Sequence, residues 1–98
     1  MIQTFAKWIF INNSIRMSHT PYHKFLLQYN ENTCDGGGMV DVFPEDKLIV
    51  FYGQSEDFGK ADIKKVQEVF ENDREFYMLQ LYFCFDIDDI ETYKVKFM

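Results

Sequence analysis

Acidic side chains are missing from the first thirty residues: that stretch holds Lys7, Arg16 and Lys24 and not one carboxylate. All sixteen acids fall in residues 31–98 beside seven bases, so a segment of charge +3 precedes one of −9 in a chain of net charge −6. Such a chain is a poor direct ligand for nucleic acid, which requires a basic stripe to displace counterions from phosphate. Cysteine is nearly absent too. Cys34 and Cys84 are too few and too far apart for a disulfide framework or a metal site. Two free thiols suit a reducing compartment, hence a cytoplasmic location. No apolar run reaches the roughly 18 residues of a membrane span; the richest, Phe76 to Phe85, is interrupted by Gln80. Met1–Ile11 has no cationic segment ahead of its apolar residues and is broken by Lys7, which makes it a poor signal peptide. Composition also excludes collagen, coiled coil and disulfide scaffold.

What is present is enough to fold. The chain has 98 residues, the length of one domain, 1–98. Apolar residues make up 47% of it, which excludes intrinsic disorder. Neither repeat nor linker interrupts it.

Along the chain, Ile2, Phe5, Ala6 and Ile9 recur at helical spacing, while Trp8 and Phe10 leave a strand open; Asn12-Asn13-Ser14 breaks the pattern. Thr20-Pro21 caps and opens a helix, with Tyr22, Phe25, Leu26 and Tyr29 on one face, although Phe25, Leu27 and Tyr29 also alternate. Asn30 to Gly38 reads as a loop whose glycines serve as a flexible connection. Met39–Phe43 and Lys47–Tyr52 read as strands, the second central because both its faces are apolar. Gly53 to Gly59 is a polar connection. Lys60–Glu71 reads as a helix, with Ile63, Val66, Val69 and Phe70 inward. Glu75–Phe85 reads as a buried strand, with Tyr77, Leu79, Leu81, Phe83 and Phe85 on one side. Ile90–Phe97 alternates as a strand with one wet face, Tyr93, Val95 and Phe97 inward. The expectation is an α+β fold: a single-layer antiparallel sheet of about four strands with one or two helices on one face.

Motifs for chemistry are weak. His19 and His23 are four apart, but Pro21 lies between them, neither helical nor extended geometry chelates one ion, and both read as surface histidines. Asp35-Gly36-Gly37-Gly38 lacks the Gly-Lys-Ser/Thr of a phosphate-binding loop. Asp86, Asp88, Asp89 and Glu91 crowd one turn without the glycine and glutamate spacing of a calcium loop, and their mutual repulsion would raise some of their pKa values. Neither Ser nor Cys sits in a nucleophile elbow, and sixteen acids guarantee chance carboxylate pairs. No enzyme, metal or cofactor is expected.

Aromatics number 18%, more than a core of this size readily encloses; Tyr22, Tyr29, Phe43, Tyr52, Phe58, Phe76 and Tyr77 cannot all be central. Exposed rings are favoured at protein interfaces, and beside carboxylates they receive Arg and Lys. The sequence therefore suggests a small acidic inhibitor that occludes a basic protein such as a toxin, nuclease or other nucleic-acid-binding protein. By analogy of size and charge alone, this is the physics of immunity proteins and phage-borne inhibitors that act as nucleic-acid mimics. Glu56, Asp57, Asp86, Asp88, Asp89 and Glu91 would stand in for phosphates, with Tyr52 and Phe58 as anchors. The competing expectation is a non-catalytic structural or adaptor subunit, a homodimer pairing its aromatic surface.

Overall fold

The computed structural model describes residues 4–98. Strands β1 (Phe5–Ile11) and β2 (Ser14–Ser18) come first, then a short 3-10 helix (His23–Leu26), β3 (Gly37–Phe43) and β4 (Leu48–Tyr52). Helices α1 (Ile63–Asn72) and α2 (Arg74–Phe85) follow, then a second 3-10 turn (Ile90–Thr92) and β5 (Lys94–Phe97). The five strands form one sheet in the order β2-β1-β3-β4-β5, antiparallel except for the β4–β5 pair. The α+β reading holds, with one strand more than the sequence suggests.

The extra strand comes from the N-terminal third. Asn12 and Asn13 have φ of 51° and 58°, and Ile11 pairs with Ser14, so two left-handed asparagines close a two-residue hairpin. What reads in sequence as a break in a pattern is the turn itself. Ile2 of the helical reading lies outside the described residues; from Phe5 onward the segment is strand, and β1 lies inside the sheet between β2 and β3.

Alternation sends Ala6, Trp8 and Phe10 of β1, Val40 and Val42 of β3, and Ile49 and Phe51 of β4 to one face, where both helices lie. There the ring centroids of Trp8 and Phe51 are 5.9 Å apart, and Phe51 in turn meets Phe70 of α1. Tyr77 of α2 stacks on Phe70 at 5.6 Å, and its hydroxyl accepts the Ile15 amide at 3.1 Å. Asp62 caps α1 by accepting from the Lys64 and Lys65 amides.

Three expectations are corrected. Residues 75–85 are not a strand but most of α2. Apart from Gln80 their residues from Phe76 on are apolar or aromatic, so alternation and helical spacing are both satisfied, and the i, i+4, i+8 set Tyr77, Leu81 and Phe85 is the one buried. Only His23–Leu26 of the stretch opened by Thr20-Pro21 is helical, because Leu27 returns to extended backbone and the capping bond is not made. Gly37 and Gly38 are not a flexible connection. They start β3 fully buried, and a Cβ on Gly37 would stand 2.3 Å from the Trp8 carbonyl oxygen. The Gly36 backbone, at φ 117°, sits so close to Ala61 that a Cβ would come within 2.5 Å of its amide nitrogen.

Candidate protein-docking surface

A helix that is apolar all round is ordinarily a buried helix. Helix α2 is apolar on nearly every side, yet only one side is covered. Phe76, Leu79 and Phe83, at i, i+3 and i+7, project away from the sheet and are 48%, 50% and 69% exposed. Contiguous apolar exposure of this kind marks an interaction surface more often than an accident.

Beside this stripe lies a shallow groove of about 480 Å³. Met78, Leu79 and Tyr82 of α2 and Ile90 of the following turn line it, and its surface is predominantly apolar. Its rim is charged: Arg74 and Glu75 come from the first turn of α2, Asp88 and Glu91 from the chain that leaves it. Arg74 is already engaged, its guanidinium 2.7 Å from the Glu71 carboxylate. The placement follows from how α2 stops. Asp86 takes a left-handed conformation at φ 55°, and its amide donates to the Tyr82 carbonyl. The chain then turns back so that Ile90 drops into the core beneath Asp88 and Glu91.

The acidic turn is thus divided by its surroundings. Asp88 and Glu91 are exposed at the groove. Asp89 is paired with Lys47, which holds its carboxyl below the usual range, so Asp89 is not one of the acids that crowding raises. Asp86 is exposed too but lines a different, smaller hollow with Phe85, Ile87 and Tyr93.

Glu56, Asp57, Phe58 and Tyr52 lie elsewhere. The Lys47–Asp89 pair marks the start of β4 and Tyr52 its end, so the two sets are separated by the length of that strand, about 16 Å at about 3.3 Å per residue. In the 53–59 loop the Ser55 hydroxyl accepts from the Asp57 and Phe58 amides, which folds the loop into a tight turn. Asp57 in turn accepts the Lys24 amide at 3.1 Å, joining this loop to the first 3-10 helix. Tyr22, just before that helix, and Phe25 within it are exposed, with the Lys24 ammonium 5.4 Å from the Tyr22 ring centroid. A second acidic and aromatic patch results, although its cation is supplied from within. Phe58 is half-buried. Tyr52 is half-buried and its hydroxyl donates to Asp41, so burial first and then that carboxylate push the phenol pKa up. The other Asp41 oxygen is buried without a hydrogen-bond partner among the described residues.

Of the rings singled out in the sequence, Tyr22, Tyr29, Phe43 and Phe76 are exposed, Tyr52 and Phe58 are half-buried, and Tyr77 belongs to the core. Phe83 and Leu79 were missed as surface groups because the strand reading placed them inward. Of the two histidines read as surface groups, His19 is exposed and His23 is not. His23 is 4% exposed and its Nε2 lies 2.8 Å from the Gly38 carbonyl oxygen, in contact with the glycines that open β3. His19 bridges elements, with Nδ1 facing the Phe5 carbonyl and Nε2 that of Cys84. Cys84 is half-buried, and desolvation pushes its thiol up to about 11; Cys34 is raised by the same cause. Neither is a poised thiolate.

Charge compensation inside the fold is sparse. Among the described residues, ion pairs engage Glu31, Glu71 and Asp89, three of the sixteen carboxylates. Among those same residues, no helix is long and apolar enough to cross a membrane.

A family model described as the Janus/Ocnus family matches residues 11–79, from the end of β1 to Leu79 of α2. The acidic turn at 86–91 lies beyond the matched stretch. No curated protein matches the chain.

Proposed function

The chain belongs to the Janus/Ocnus family, and for this member we propose a non-catalytic binding role: it engages a basic, nucleic-acid-handling protein and occludes that partner's cationic surface. The observation that carries this reading is the coincidence of uncompensated carboxylates with exposed rings on one molecule. Carboxylates without internal cations repel one another at short range and gain from an approaching cation. Rings beside them bury much area at little side-chain entropy and accept guanidinium or ammonium groups on their faces. A negative surface also accelerates the encounter with a positive one. Family membership by itself selects no partner; the charge and the rings are what support a basic one.

Glu56, Asp57, Asp86, Asp88, Asp89 and Glu91 remain the candidate contact acids and Tyr52 and Phe58 the candidate anchors, now in two patches rather than one. Asp88 and Glu91 are the strongest of them, because they border an apolar surface that binding would cover. Asp89 is weaker, since Lys47 already answers its charge.

The test is capture of partners from the native cells by the wild-type protein and by two charge-neutral variants, Asp88→Asn/Glu91→Gln and Glu56→Gln/Asp57→Asn. The proposal expects a basic protein recovered by wild type and lost with at least one variant, and nucleic acid should compete for it. Recovery of the same partner by all three, or a partner indifferent to nucleic acid, contradicts it. The competing adaptor reading expects a tight homodimer by light scattering, with no basic protein recovered.

A further inference from the structure

We infer that the outer face of α2 seats a helix of the partner, apolar on the side that meets Phe76, Leu79 and Phe83 and basic at its margins. The inference rests on the binding role proposed above and names its place and the shape of its occupant. Three observations carry it. The exposed apolar residues recur at i, i+3 and i+7 over about 10 Å of helix, the ridge spacing into which another helix packs. An apolar stripe laid in a groove is one of the recurrent modes of peptide recognition. The groove floor, Met78, Tyr82 and Ile90, is continuous with that stripe through Leu79.

Charge selects the occupant. Glu75, Asp88 and Glu91 all line the groove, and the local cation Arg74 is held by Glu71. A second copy of this chain, docked through the same face of α2, would bring this acidic lining against its own counterpart. Like charges so placed disfavour the pairing. A partner helix with Lys or Arg astride an apolar stripe matches the acidic lining and the stripe at once.

The experiment uses the full chain and a fluorescein-labelled peptide of about 18 residues, built from Leu and Lys as an amphipathic helix. A second peptide carries Glu in place of Lys. Anisotropy titration is expected to show the Lys peptide bound and the Glu peptide bound at least about tenfold more weakly. Leu79→Lys and Phe83→Lys should each weaken the Lys peptide by about tenfold or more. Because both side chains are half or more exposed, the thermal midpoints of these variants should stay at the wild-type value, which separates lost contact from lost fold. Equal binding to wild type and to Leu79→Lys overturns the placement on α2 while leaving the basic-partner reading intact. Equal binding of Lys and Glu peptides overturns both. A tight dimer that Leu79→Lys dissolves overturns the choice of occupant.

Discussion

Single residues decide how far the charge of this chain is answered from within. The clearest case is Glu31, which takes two hydrogen bonds from the Arg16 guanidinium, at 2.5 and 2.8 Å, and one from the Gln28 amide. Those bonds, the Arg16 pair foremost, lower its carboxyl from an ordinary 4.5 to about 2. A carboxyl depressed in the folded state adds stability that is present above its unfolded pKa and disappears as pH falls through the folded one. The advantage of wild type over Glu31→Gln in urea unfolding midpoint should therefore shrink steadily between about pH 5 and about pH 2. An advantage that is constant across that window would show that Glu31 contributes through shape rather than charge. Asp88 and Glu91 have no such internal cation among the described residues, and this difference makes them candidates for contact while Glu31 is a clasp.

At the scale of elements, the decisive matter is the nature of residues 74–85. An alternating strand would place Leu79 and Leu81 on one side together; α2 puts them on opposite sides, Leu81 at 0% and Leu79 at 50% exposure. Leu81→Ala should cost about 2–5 kcal/mol in chemical denaturation, the cost of a core cavity. Leu79→Ala should stay within about 0.5 kcal/mol, as for other surface substitutions. Similar large losses at both positions would restore the strand. This pair also shows why part of the fold was legible in the sequence and part was not. Asp62 and the Ile63, Val66, Phe70 spacing announce α1, because a polar outer face leaves one periodicity standing. In Phe76–Phe85 the outer face is apolar as well, so periodicity has nothing to contrast with. The surface that makes α2 a docking candidate is the same surface that hid it as a helix. The β1–β2 hairpin was hidden differently, since two asparagines rather than Asn-Gly supply the left-handed turn. His23 looked exposed because nothing local in the sequence records that its loop folds over Gly37 and Gly38. The acids of the candidate site were legible as composition, but their division into two patches was not. That division depends on β4 and β5 running parallel, which carries the 86–91 turn to the start of β4 and leaves the 53–59 loop at its end.

At the scale of the molecule, the helices cover one face of the sheet while much of the acidic excess stays in solvent, with three internal ion pairs among the described residues. A fold selected for stability alone gains little from a net charge of −6 and from three large apolar side chains left in water along one helix. A basic partner makes use of both at once: the charge draws it in, and the apolar face holds it. Attraction between exposed charges is screened over about 8 Å at physiological ionic strength, whereas apolar contact is not. The two contributions therefore separate in kinetics, with charge acting on encounter and ring contacts on residence time. The most direct measurement is the stopped-flow association rate of this protein with the captured basic partner as salt is raised from about 50 to about 500 mM. The account predicts a fall of about tenfold or more across that range, with dissociation nearly unchanged. An association rate that does not respond to salt would contradict it.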